Sequence, residues 1–230
     1  MVETDRPQPL GVSAAVVSNQ AGVFDDWQAV LDRHRAHPFR KPIADFNRQA
    51  FEQAAEHWSR QGGELILDSG CGVGQSTRLL AARFPQACVI GVDRSADRLT
   101  RQLGPVPSNA CLIRADLVDF WRLAKAAGWQ LQQHFLLYPN PSPKKKDFKL
   151  RWHGHPVFPD LLALGGRLEC RSNWRIYCEE MALALNYLGF SPQVSALEVT
   201  EPLTPFERKY QLSGHELWQL EVNLNAPNPA

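Results

Sequence analysis

The sequence predicts an α/β protein: a mostly parallel sheet of seven strands, helices on both faces, and an antiparallel C-terminal edge. Three observations predict it. From residue 62 onward short apolar runs alternate with helical stretches, the pattern of right-handed crossovers between parallel strands. The first run ends in a turn with glycines at alternate positions. The last two strand candidates have no strong helix between them, which suits an antiparallel hairpin at the sheet edge.

Residues 1–20, with Pro7 and Pro9 among small and polar residues, read as a loose tail. A helix is expected over residues 24–37, where Phe24, Trp27, Val30 and Leu31 recur at helical spacing. A second is expected over 43–58, with Phe46, Ala50, Phe51, Ala54 and Trp58; Pro38 and Pro42 separate the two. Residues 21–61 thus form a helical cap on a domain spanning 62–222. Within that domain the expected order is strand Glu64–Asp68, helix Gln75–Phe84, strand Cys88–Asp93, helix Ser95–Gln102, strand Cys111–Asp116, helix Val118–Ala127 and strand His134–Tyr138. Helix Val157–Leu164, strand Arg167–Arg171, helix Trp174–Leu188 and strands Gln193–Val199 and Glu216–Val222 complete it. Residues 223–230 read as a polar tail.

Composition narrows the function. The 230 residues carry 25 Lys and Arg against 24 Asp and Glu, a net charge of +1, so a polyanion must be met by a local patch. No run approaches the ~20 apolar residues that cross a bilayer. Five cysteines without paired spacing suit reduced thiols in a cytoplasmic protein better than disulfides or zinc. No metal site is expected. Trp27, Trp58, Trp121 and Trp129 read as packing residues, and His57, His134 and His215 as structural.

In parallel sheets, ligands sit beyond the carboxyl ends of the strands. The first such end reads Asp68-Ser69-Gly70-Cys71-Gly72-Val73-Gly74, a backbone able to turn sharply and approach a ligand. Gln75 stands where a dinucleotide fingerprint needs its third glycine. Asp68 would repel a pyrophosphate but suits the ammonium end of a methionine moiety, which favours S-adenosyl-L-methionine over NAD. Asp93, 25 residues on, suits ribose hydroxyls, and Asp116 suits an adenine amino group.

The fourth strand leads into Tyr138-Pro139-Asn140-Pro141-Ser142-Pro143-Lys144, whose prolines fix Asn140 at the pocket mouth, next to the transferable methyl group. Residues 144–151 hold five basic residues, Lys144, Lys145, Lys146, Lys149 and Arg151, and one acid, a candidate contact for a nucleic-acid backbone.

These motifs resemble the bacterial tRNA (guanine-N7-)-methyltransferase family over about residues 62–222. Tyr138–Lys144 resembles its proline-rich site, Ser172-Asn173-Trp174 its T-D-W segment, and Thr204-Pro205-Phe206-Glu207-Arg208 its C-terminal T-x-F-E signature. The resemblance implies a Rossmann-like class I methyltransferase fold, S-adenosyl-L-methionine as cofactor and tRNA as partner, in a cytoplasmic monomer or homodimer without a membrane. It implies that Asp68, Gly70, Gly72, Gly74, Asp93, Asp116 and Asn140 bind the cofactor. Asn140 and Glu207 would serve catalysis, and Lys144, Asn173, Thr204, Pro205, Phe206 and Glu207 would contact the nucleotide. Asn140 and Asn173 stand where the family has aspartates. Asn140-Pro141 also resembles the N-P-P-Y site of amino-methyltransferases, so another nitrogen acceptor, in RNA, protein or a small amine, stays open. So does a noncatalytic paralogue that binds cofactor and RNA.

Overall fold

A computed structural model describes residues 13–101 and 103–226. Helices α1 (Trp27–Ala36) and α2 (Asp45–Gln61) precede β1 (Leu65–Ser69), α3 (Gln75–Arg83), β2 (Cys88–Asp93), a single helical turn α4 (Ala96–Leu99) and β3 (Ala110–Arg114). Then follow α5 (Leu117–Ala126), β4 (Gln133–Leu137), α6 (Phe158–Leu162), β5 (Arg167–Ser172), α7 (Arg175–Tyr187), β6 (Gln193–Ala196), α8 (Pro205–Leu212) and β7 (Trp218–Asn223). Two 3-10 turns, Lys145–Leu150 and Trp152–Gly154, fill the connection after β4.

The seven strands pair in the order β3-β2-β1-β4-β5-β7-β6. β1 to β5 are parallel, and β7 runs antiparallel to both β5 and β6. The strand order reverses between β1 and β4, which puts the crevice of an open sheet beside the glycine turn. β1 and β2 are buried along their whole length, as expected of central parallel strands. Their side chains alternate between two cores. Leu65, Leu67, Cys88 and Ile90 join the larger one, with Phe51 of α2, Phe120 of α5 and Met181 of α7. Ile66 and Val89 face the smaller one, with Leu80 of α3 and Leu203.

Four expectations need correction. The last two strands do not form a simple hairpin: helix α8 separates them, and β7 is inserted between β5 and β6. Of the helix expected over Ser95–Gln102, the described residues hold only the turn α4, and Gln102 lies outside them. Of the N-terminal tail, residues 1–12 lie outside the described residues, but Gln20 is buried and Ser18 Oγ donates to Pro143 O at 2.6 Å. At the other terminus, residues 227–230 lie outside the described residues, while Leu224 is buried and Asn225 Oδ1 accepts from Gly166 N at 2.8 Å. No helix among the described residues is long and apolar enough to cross a membrane.

Candidate functional site

The glycine turn joins β1 to α3 through three left-handed residues, Gly70, Gly72 and Gly74 (φ 82°, 58° and 74°). At Gly74, the N-cap of α3, the left-handed backbone favours glycine, and a Cβ would also press on the tip of the Leu112 side chain, 2.7 Å away. Gly91 of β2 permits a further approach: a Cβ there would meet Thr77 Oγ1 at 2.2 Å. That room seats Thr77, which with its neighbour Ser76, also buried, reaches Asp68 near the end of β1.

Ser76 Oγ and Thr77 Oγ1 donate to Asp68 Oδ2 at 2.6 and 2.7 Å. The other oxygen, Oδ1, is buried and has no hydrogen-bond partner. Burial pushes the Asp68 carboxyl up to about 6; the two hydroxyls oppose that rise and the Asp93 charge adds to it. Buried polar atoms are nearly always satisfied, so a lone carboxylate oxygen marks a place for a donor. An ammonium group fits it by charge and by hydrogen bonding.

Asp93, at the end of β2, ties down the same turn. Its Oδ2 accepts from Gly72 N at 3.0 Å and its Oδ1 from Ser95 N at 2.8 Å, with Arg98 Nη1 3.7 Å away. Each carboxylate oxygen keeps a second lone pair for a hydroxyl donor. Asp116 follows β3 and caps α5, its Oδ1 accepting from Val118 N at 2.8 Å. Asn47 of α2 accepts from Asp116 N at 2.9 Å. Asp68, Asp93 and Asp116 therefore stand on one rim, at the ends of three neighbouring strands, as the sequence led one to expect.

The acceptor side is built on β4. Tyr138 and Ser142 hold left-handed backbone conformations without being glycine (φ 52° and 44°), so the proline-rich loop stores local strain. Asn140 is exposed, and its Oδ1 accepts from Ser142 N at 3.1 Å, closing an Asx turn. Lys144, Lys145, Lys146 and Lys149 are exposed, and Lys145 forms an ion pair with Asp25.

Arg151 departs from its expected role. It has no exposed surface and pairs with Glu180, so it does not contact RNA. Its guanidinium donates to Ser142 O at 3.1 and 3.2 Å and to Gln20 Oε1 at 3.0 Å, bracing the loop from beneath.

Glu207 also departs from expectation. It is fully buried and takes three donors: Tyr138 Oη and Arg171 Nη1 at 2.8 Å each on Oε1, and Leu203 N at 2.6 Å on Oε2. A carboxylate so occupied cannot touch a nucleotide or share its charge with one. It fastens the start of α8 to the end of β4 and the adjacent β5. Burial, followed by the Glu207 charge, pushes the Tyr138 phenol far above its ordinary value, so it remains a donor.

Thr204 is buried as the N-cap of α8, accepting from Glu207 N at 3.0 Å, while Pro205 and Phe206 are exposed. Asn173, after β5, lies with its Nδ2 3.2 Å from His215 Nδ1, and His215 Nε2 lies 2.9 Å from Ser13 O. Stacked rings run from Phe206 through Tyr210 to His215, with centroid separations of 6.2 and 5.3 Å. Sequence reasoning missed Tyr138, Arg171, Glu180 and Gln20 as the frame of this half. Among the described residues no group of three or more His, Cys, Asp or Glu side chains is placed to hold a metal ion.

Comparison with known proteins adds the following. The model of a family described as putative methyltransferase matches residues 63–220. The chain is similar to the tRNA (guanine-N(7)-)-methyltransferase of Thiobacillus denitrificans, at 30% identity over 166 residues, covering 67% of this chain and 73% of that protein. It is similar to the same-named protein of Leifsonia xyli at 28% identity, covering 84% of this chain and 96% of the other. Among solved structures, a mutant 16S rRNA (adenine(1408)-N(1))-methyltransferase from Catenulisporales acidiphilia, with cosubstrate SAM, superposes with a TM-score of 0.54. It is 18% identical and covers 78% of this chain and 94% of its own. That likeness carries the fold, a class I methyltransferase sheet.

Proposed function

The chain belongs to the tRNA (guanine-N7-)-methyltransferase family, and from that premise we propose that it methylates N7 of a variable-loop guanine in tRNA. S-adenosyl-L-methionine is the cofactor, and the residues present fit it. The unpartnered oxygen of Asp68 takes the ammonium end, Gly70, Gly72 and Gly74 admit the chain closely, and Asp93 and Asp116 take the ribose and adenine edges. When bound, the cofactor supplies an electrophilic methyl carbon on a sulfonium.

The protein's own task is then mainly placement. Guanine N7 carries a free lone pair, so no base has to remove a proton before it attacks, and alignment of acceptor and donor dominates. Asn140 orients the guanine edge from its turn at the mouth of the site. Phe206 offers an exposed ring for the base to stack on, and Asn173 offers a polar contact at the His215 end of the same ring stack. Lys144, Lys145, Lys146 and Lys149 hold the phosphate backbone without reading sequence. Glu207, Tyr138 and Arg171 keep the two halves of the acceptor side in register. The reaction takes place in the cytoplasm.

A single observation carries the reading. The Glu207 carboxylate gathers Tyr138 of the proline-rich loop, Arg171 of β5 and Leu203 before the T-P-F-E segment around one point. Three segments far apart in sequence thereby meet past β4 and β5, on the strands next to β1, which supports reading them as one acceptor side. The test is transfer of radiolabelled methyl groups to bulk tRNA, followed by nucleoside analysis. Label in 7-methylguanosine supports the proposal. Label in another nucleoside, in protein or in an amine replaces the acceptor, and cofactor binding without transfer makes the chain a noncatalytic relative.

A further inference from the structure

A groove of about 800 Å3 lies between α3 and the segment leading into α8, outside the site described above. One wall is a stripe of α3. Gln75, Leu79 and Arg83 are spaced four residues apart and so share a helix face. The other wall is Thr200 to Leu203 with Arg208. Gln75 Nε2 reaches Pro202 O at 3.4 Å and so joins the walls at one end.

Two properties point to an occupant. The floor is apolar and open: Leu79 is 42% exposed, beside Ala82, Pro202 and Leu203. Above it stand two guanidiniums, Arg83 and Arg208, with no side-chain hydrogen bond or ion pair among the described residues. Glu201 is the one acid among the lining residues, so the groove is cationic in a chain of net charge +1. Apolar surface for a base or ribose, flanked by cations for phosphate, is the chemistry that holds single-stranded nucleic acid. The volume is that of a pocket for a small molecule, the size of one or two nucleotides rather than a duplex.

Position ties the groove to the site. The α3 stripe starts directly after Gly74, and Leu203 and Arg208 bracket the Thr204–Glu207 segment. The groove thus adjoins both the cofactor turn and the acceptor side. We propose that it holds the unpaired nucleotide or two flanking the modified base, with Arg83 and Arg208 on their phosphates. This rests on the RNA-methylating reading and extends its substrate contact beyond the lysine loop to the opposite side of the site.

The experiment measures binding of unmodified tRNA to the full chain by fluorescence anisotropy across a salt series, for the wild type and for Arg83→Gln, Arg208→Gln and Leu79→Glu. S-adenosyl-L-methionine affinity is measured by calorimetry on the same samples. All three positions are solvent-facing, so the variants should fold. Each arginine change is expected to weaken tRNA binding about three- to tenfold and to lower the salt slope by about 0.7. Leu79→Glu should weaken it at least as much, with cofactor affinity unchanged throughout. If wild type binds tRNA and all three variants bind it equally well, the groove assignment fails while the functional reading survives. If the wild type binds the cofactor but no tRNA, both fail. If cofactor affinity falls with the variants, the groove serves the cofactor and the assignment to RNA is overturned.

Discussion

Arg151 and Glu180 form an ion pair in which neither side chain has any exposed surface. Glu180 also faces His153 Nε2 at 3.0 Å and accepts from Phe24 N at 2.8 Å, while Arg151 holds Ser142 O and Gln20. One buried network therefore joins α7, the N-terminal segment and the loop that presents Asn140. Taking charges out of water is costly, and such a pair is retained only where its remaining hydrogen bonds are filled.

Removing one partner strands the other. Arg151→Met is expected to cost about 3–5 kcal/mol of stability, because Glu180 is left charged and buried. The double variant Arg151→Met/Glu180→Met should lose much less than the two single changes summed. Urea denaturation checks both. Additive losses would mean that the two side chains act separately.

If Asp68 holds the ammonium end of the cofactor as proposed, cofactor affinity is expected to depend on pH. Its carboxyl is raised to about 6 by burial, above the ~3.9 of an unfolded chain. Between those values the native state keeps a proton that the unfolded chain has released. The stability this gives is full below the unfolded value and is lost as pH rises through about 6. An ammonium ligand needs the opposite, ionised form. Affinity for S-adenosyl-L-methionine should therefore fall as pH drops through about 6, by at most tenfold per unit. Asp68→Asn should bind weakly and flatten the profile. Calorimetry between about pH 5 and 8 reads the effect, and a level wild-type profile would remove Asp68 from the ammonium contact.

The central sheet was legible because its signals are local. Leu65–Ser69 and Cys88–Asp93 are short apolar runs buried on both faces, and each stops at an aspartate or a glycine turn. Helix α8 also carries a local signal. Thr204 as N-cap, Pro205 in the first turn and Glu207 three residues on form a helix start as well as a motif. Arg151 and Gln20 were not legible. In sequence Arg151 ends a run of lysines and Gln20 sits among small residues. Their burial depends on Glu180, which lies 29 and 160 residues away in the chain, and no nearby residue reports such a partner.

The lysine loop gives a prediction in which the lysines differ. Lys145 is paired with Asp25, whereas Lys144, Lys146 and Lys149 make no side-chain ion pair among the described residues. Each phosphate contact contributes about 0.7–0.9 to the slope of log affinity against log salt. Lys144→Ala should lower that slope and weaken tRNA binding uniformly across sequences. Asp25→Ala frees Lys145 and should strengthen binding at low salt. If Asp25→Ala weakens binding instead, the pair orients the loop rather than competing for Lys145.

Under the proposed reading, a change at Asn140 tests how much of the rate comes from charge. The loop geometry survives a change to aspartate, because a carboxylate oxygen can accept from Ser142 N as the amide oxygen does at 3.1 Å. The change adds a negative charge at the mouth of the site, where positive charge develops on the guanine ring during methylation. Preorganised groups of this kind are worth about 2–4 kcal/mol in other enzymes. An exposed position screens part of that, so Asn140→Asp should speed 7-methylguanosine formation by about tenfold, chiefly in kcat. Asn140→Ala loses the turn and the proposed contact to the base, and should fall below wild type. A slower Asn140→Asp variant would show that the amide's N–H groups are what the acceptor needs, and the acceptor would then be a group that takes a hydrogen bond from the enzyme rather than one that gains charge.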